Sequence, residues 1–327
     1  MKTTIEVFSI KIKTKDGYVD FGGSIDYFEL MANTENGLFH HIDVTSTGDI
    51  PTLNRTVKIP ASYTNAEGDL VRFYHSNDSE RYICGIIETG TYGKEYEIAR
   101  KNTPNEIEYV VDREHAIIKP FFFYLKIPRR GNEALMILER TDNEGIFPLM
   151  LLLLKTFLND SLGVENRFNI EKGNIVLNSY MDELTSGRYK SVTLSARQES
   201  SDAANRYFGG FESTEYSMEL VVKFKNNLGA DRERAIREHI NSGNTLFVMP
   251  ELNTIFDDEK KKVESVIGTG RNAKTRTLYL GDDRQGVIRP YYELDVVANN
   301  RNHSLYSSIK QRTREFINNH SEFEMFN

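Results

Sequence analysis

Tryptophan is absent from this 327-residue chain, and cysteine occurs once, as Cys84. The first absence excludes nothing by itself. The second excludes an internal disulfide and any metal site built from several cysteines, and it fits a reducing compartment. Proline (8 residues) and glycine (22) are too few for extended disorder. Long apolar runs are missing as well: the strongest, Ile146 to Leu154, stops at Lys155 after about nine residues, where a bilayer needs about twenty. The opening MKTTIEVFSIKIKTK alternates Ile5, Val7, Ile10 and Ile12 with polar residues, so it reads as a first strand and not as a signal peptide. The expectation is a cytoplasmic protein with no membrane span.

Histidine is also scarce, with seven in the chain. His40 and His41 are expected as neighbours on a strand, hence on opposite faces, and His75, His115, His303 and His320 have no partner at metal-ligand spacing. Cys84, in YICGII, lacks a nearby histidine and reads as a core residue. No Gly-X-Ser-X-Gly elbow occurs, and nothing calls for a cofactor.

What is present is an apolar centre. FFFYLKI, the turn PRRGNE, ALMILER and then PLMLLLLKTFL run from Phe121 to Leu158. Two short runs of aromatic and branched residues divided by Pro128, Gly131 and Asn132 predict paired strands and a tight turn. Leu149 to Leu154 is apolar on every side, which predicts a helix covered all round.

Before the hairpin the expected strands are Ile5 to Lys13, Phe39 to Thr45, Thr56 to Pro60, Leu70 to His75, Tyr82 to Glu88 and Ile107 to Val111. After the helix, Asn159 to Glu171 reads as a connection. It leads to strands at Asn174 to Leu177, Tyr189 to Ala196, Tyr216 to Phe224, Thr245 to Met249, Lys261 to Ile267, Thr275 to Leu280 and Val287 to Val297. Helices are expected near Tyr180 to Leu184, Gly229 to Ile240 and Leu305 to Asn318. The fold class is therefore α+β. An antiparallel, β-rich, barrel- or sandwich-like domain with a buried helix occupies residues 1–160, and a mixed α+β domain with a basic hairpin and a terminal helix occupies 161–327.

Charge is unevenly spread. Between Lys260 and Arg314 stand twelve basic residues and five acidic ones, in a chain whose net charge is −7. Such asymmetry can hold a polyanion on one lobe while the other repels it. Within this segment GTGRNAKT, Gly268 to Thr275, approaches a phosphate-binding loop, but Ala273 replaces the second glycine and a strand follows where a helix is needed. It reads instead as a hairpin tip. Arg271, Lys274, Arg276 and the nearby Arg289 are the expected contacts to a nucleic-acid backbone, DNA or RNA. Tyr291 and Tyr292, expected on a strand beside this hairpin, offer a stacking platform.

Two catalytic readings compete with plain recognition. RAIREH places Arg234 and His239 at the spacing that resembles ribonucleases of the HEPN superfamily, whose Arg and His converge across a dimer to cleave RNA without metal. Here Ala235 follows the arginine and the helix lies between strands. Glu259, Lys260 and Lys261 have the Glu-X-Lys spacing of metal-dependent nucleases, with Glu251, Asp257, Asp258, Glu293 and Asp295 as further acids, although Glu259 sits at the polar edge of its strand. Finally, KPFFFYLKIPRRGNEALMILERTDNEGIF, Lys119 to Phe147, resembles a phrase in bacterial proteins of mobile elements and anti-phage defence islands. That resemblance implies a cytoplasmic component of a prokaryotic defence system, acting on or sensing phage nucleic acid or a phage protein, with a partner protein; a third reading is a protein-binding scaffold or homo-oligomer whose aromatics and acidic N-terminal half form interfaces.

Overall fold

A computed structural model describes residues 1–64, 70–141, 144–163, 167–180, 188–198, 216–224, 231, 234, 260–267, 274–280, 287–288 and 290–326. The fold is α+β and mostly antiparallel. It divides into two compact units, Met1–Gly173 with Tyr291–Asn327, and Asn174–Pro290. The sequence expectation groups residues 291–327 with the second half; here they join the first.

The first unit begins with β1 (Lys2–Thr14), β2 (Gly17–Tyr18), α1 (Tyr27–Ala32), α2 (Leu38–Val44), β3 (Gly48–Ile50), β4 (Arg55–Lys58), β5 (Tyr63–Thr64), β6 (Leu70–Val71), β7 (Tyr74–Asn77) and β8 (Tyr82–Thr91). It continues with β9 (Tyr96–Arg100), β10 (Thr103–Val111), β11 (Lys119–Lys126), β12 (Ala134–Thr141), β13 (Glu144–Gly145), α3 (Phe147–Leu162) and β14 (Asn169–Asn174). A curled, half-barrel sheet runs β14-β1-β12-β11-β8-β4-β3, with β2, β7, β13 and the late strand Tyr291–Asp295 joining at its sides.

The expected hairpin is β11–β12, with Phe123 opposite Leu138 and Leu125 opposite Met136. Its runs are continuously apolar because the sheet is covered on both faces. Phe121, Phe123, Leu125, Met136 and Leu138 face the core shared with α1, α2 and α3. The alternate residues Phe122, Tyr124, Leu135 and Ile137 are equally buried. A terminal helix, Tyr306–Asn318, packs against β8 and β11, and the 3-10 turn Ser321–Phe326 packs against β12.

Helix α3 starts with Pro148 in its first turn and ends at Gly163, whose φ of 92° lies in the region that favours glycine. Its buried stripe is Leu149, Met150, Leu153, Leu154, Phe157 and Leu158, whereas Leu151 and Leu152 are half-buried, so cover is less complete than the sequence predicts. Each fully buried side chain contributes about 1.5–3 kcal/mol relative to exposure, far more than helix propensity.

Three expectations change. Residues 39–45 form α2 and not a strand: Leu38, Phe39, His41 and Ile42 are buried at helical spacing. The strand expected at 174–177 lies earlier, at β14, where Ile170 is buried, as is Phe168 just before it, and Lys172 Nζ sits 4.3 Å from the Phe147 ring centroid. The strand expected over 287–297 is two strands separated by Pro290, and they belong to different units.

Candidate nucleic-acid interface

The second unit carries a five-stranded antiparallel sheet. Its strands are β15 (Arg188–Gln198), β16 (Tyr216–Lys223), β17 (Lys260–Ile267), β18 (Lys274–Leu280) and β19 (Val287–Ile288), in the order β16-β15-β17-β18-β19. Short runs of Val, Ile, Leu and Thr alternating with charged residues favour such pleated ladders. The β17–β18 register sets Ile267 opposite Lys274, Ser265 opposite Arg276 and Val263 opposite Leu278. Positions 274 and 276 therefore share one face, continued by Leu278 and Leu280, while Thr275, Thr277 and Tyr279 occupy the other. Six residues, 268–273, connect the two strands.

Of the four expected contacts, Lys274 and Arg276 thus stand two residues apart on one strand. Arg271, in the connection, and Arg289, just after β19, lie outside the described residues. Among the catalytic candidates, His239 and Glu259 also lie outside them. Arg234 is exposed on a helical segment, and its guanidinium pairs with Asp231 three residues earlier.

The basic segment is not gathered in one unit. Its part from Lys260 to Pro290 holds eight basic and three acidic residues and belongs to the second unit. The remainder, from Tyr291, returns to the first unit as β20 (Tyr291–Asp295) and α4 (Tyr306–Asn318). Strand β20 pairs with β1, Glu6 opposite Tyr291 and Lys2 opposite Asp295. Of the two tyrosines expected to offer a stacking platform, Tyr292 is buried, and Tyr291 is half-buried with its ring under the Arg140 guanidinium at 4.9 Å. The acids Glu293 and Asp295, grouped by sequence with Glu259, are on this same strand, and Lys2 Nζ meets Glu293 Oε2 at 3.3 Å.

Cations on α4 are likewise engaged. Arg312 pairs with Glu315 at 2.6 Å. Arg314 donates two hydrogen bonds to Glu80, which hold its pKa above the ordinary arginine value, and its guanidinium lies 5.6 Å from the Tyr82 ring centroid. Beneath this pair Tyr82 stacks on Tyr124 at 4.8 Å, and burial raises the pKa of both phenols. Cys84 is buried as expected, its thiol pushed up to about 12 by desolvation, with Tyr306 Oη 3.7 Å away. A thiol held neutral in this way is a packing residue, not a nucleophile.

The sequence did not point to Glu139. Nearly fully buried, it accepts hydrogen bonds from Thr3 Oγ1 (2.9 Å), the Phe122 amide (2.9 Å) and Ser304 Oγ, joining β1, β11, β12 and the approach to α4. The only local signal is a carboxylate ending an apolar run, and its partners lie far away in sequence. The expectation of His40 and His41 on opposite strand faces is replaced by their helical placement on α2, where His41 is buried with Nε2 3.7 Å from Asp160 Oδ2. Among the described residues no three His, Cys, Asp or Glu side chains converge to hold a metal. Among those residues, too, no helix is long and apolar enough to cross a membrane.

No protein family, curated protein or solved structure matches the chain.

Proposed function

We propose that this chain is a cytoplasmic nucleic-acid-recognising component of a prokaryotic anti-phage defence system, and that Arg271, Lys274, Arg276 and Arg289 are its phosphate contacts. In this reading the first unit is a barrel- or sandwich-like body and the second is an α+β recognition domain. The observation that carries the reading is the β17–β18 ladder, in which Lys274 and Arg276 occupy one face beside the connection that contains Arg271. Two residues along a strand advance about 6.8 Å, which is the axial rise of two nucleotides on one strand of a duplex. Eight basic against three acidic residues between Lys260 and Pro290 supply a local positive field in a chain of net charge −7.

Such contacts read backbone and not sequence, so binding is steeply salt-dependent and weakly selective. The test is titration of labelled single- and double-stranded DNA and RNA with the chain and with the triple variant Arg271→Ala, Lys274→Ala, Arg276→Ala, with and without Mg²⁺. Weaker binding by the variant at low salt, with intact probe, supports recognition. Unaltered affinity at low salt overturns the assignment, and a cut probe replaces it with a nuclease.

A further inference from the structure

Strands β9 and β10 form a two-stranded ribbon that pairs with no other strand among the described residues. Its root is tied down: Val111 is buried, and the Gly93 amide donates to the Arg113 carbonyl at 2.9 Å. Beyond the root it is exposed. Tyr109 stands opposite Ile98 and Val111 opposite Tyr96, so Tyr96, Ile98 and Tyr109 share a face, whereas Ile107 stands opposite Ala99 across a register shift. The side chains of Tyr96, Ile98 and Tyr109 are 42–51% exposed. A free two-stranded ribbon is marginal in water, and a contiguous apolar face marks an interaction surface.

The two edges of the ribbon differ in a way that identifies the occupant. Strand β10 carries the devices that block edge pairing: Pro104, Glu106, Glu108 and register irregularities on both sides of Ile107. Strand β9, YEIAR, has no proline, and its residues follow one another through the ladder without a skip. The charges then discriminate between self-pairings. Antiparallel pairing of β10 with its copy about Ile107 sets Glu106 against the partner's Glu108, two carboxylates face to face, of which Glu108 is already paired with Arg100 on its own ribbon. Pairing of β9 with its copy about Ile98 sets Glu97 against the partner's Ala99 and Tyr96 against the partner's Arg100, with no like-charge pair.

We propose that a second copy of this chain pairs through β9 across a two-fold axis at Ile98, forming a four-stranded antiparallel ribbon with β9 and the partner's β9 at its centre. Pairing satisfies the outer N–H and C=O groups of β9. It also brings Tyr96 and Ile98 of both copies into one apolar surface, and sets each Arg100, which pairs with Glu108 of its own ribbon, beside the partner's Tyr96. The interface is isologous and closes at two subunits. It stands independently of the nucleic-acid reading.

The test is sedimentation of the full chain over a concentration series, alongside Ile98→Lys and Ile98→Glu. On the axis each substitution meets its own copy. Each variant alone is therefore expected to dimerise about tenfold or more weakly, whereas an equimolar mixture of the two restores dimer because opposite charges then meet. Position 98 lies outside the core, so circular dichroism unchanged from wild type is expected in both. A second measurement is cross-linking. Ile98→Cys gives a covalent dimer on mild oxidation while the wild type, whose one thiol at Cys84 is buried, does not. A wild type that stays monomeric, a dimer indifferent to both charges, or a mixture that fails to reassociate overturns the proposal. Nucleic acid or another protein on this face would leave the wild type monomeric.

Discussion

Glu139 shows how a single buried carboxylate can fasten distant parts of a chain. Truncation to alanine leaves the Thr3 and Ser304 hydroxyls and the Phe122 amide without their acceptor, which costs about 2–4 kcal/mol. Glu139→Gln should lose less, because the two hydroxyls can turn to accept from the new amide while its oxygen keeps the Phe122 N–H. Urea unfolding of the two variants measures the difference; equal losses would contradict this role. A second residue-scale prediction concerns acid. Burial lowers the pKa of His41, against a smaller opposing pull from Asp160. It also lowers that of His75, with Lys310 and Arg314 adding to the effect. The folded values lie below the unfolded one of about 6.5, so the unfolded chain binds more protons just below that pH. Stability from these residues is complete above about pH 6.5 and is lost as pH falls through that value toward the folded pKa values. Urea midpoints between neutral pH and pH 5 should fall, and His41→Gln should flatten the trend; a midpoint indifferent to pH would contradict it. At this scale the sequence read Cys84 correctly, because six apolar and small residues in a row leave little choice but burial. It did not show which neighbours Tyr291 and Tyr292 meet, because Arg140 and β1 are far away in the chain.

At the scale of elements, the β11–β12 hairpin was legible because a strand covered on both faces is apolar throughout and is bounded by Pro128 and Gly131. Helix α2 was not. Its seven residues include Phe, Ile and Val, which favour strands, and the helical placing of Leu38, Phe39 and Ile42 is a weak pattern over so short a length. Packing decides the matter. The Phe39 ring stacks between Tyr74 at 4.6 Å and Phe123 at 5.3 Å, directly over Gly85 on β8. A Cβ at position 85 would press into the Phe39 ring and stand 2.8 Å from the Phe73 carbonyl oxygen, and neither can retreat. Gly85→Ala is therefore expected to destabilise by about 1–3 kcal/mol through overpacking. Thermal denaturation reads this directly, and an unchanged midpoint would mean that α2 does not seat on the sheet as described.

At the scale of the molecule, the chain leaves its first unit after Gly173 and returns at Tyr291. The return is structural: β20 extends the sheet along β1, the Met1 ammonium donates to the Val296 carbonyl, and α4 covers β8 and β11. Ending the chain at Pro290 would expose the face that includes Tyr124, Ile137 and Val7, and the product should be insoluble or lack a cooperative transition; a soluble, cooperatively unfolding product would contradict this. The sequence revealed the α+β class and most strands. It could not reveal the return, since no local pattern encodes which distant edge a strand such as YYELD will join. The same return divides the basic segment, leaving Lys274 and Arg276 in the second unit as the described centre of the proposed interface.

The most direct measurement is fluorescence anisotropy of labelled nucleic acid with the wild type and with the Arg271→Ala, Lys274→Ala, Arg276→Ala variant across a salt series. The account predicts salt-sensitive binding by the wild type, and for the variant weaker binding at low salt with a log–log slope on duplex DNA shallower by about 2–3. Equal affinities and equal slopes for the two proteins, or no binding by the wild type at low salt, would contradict it.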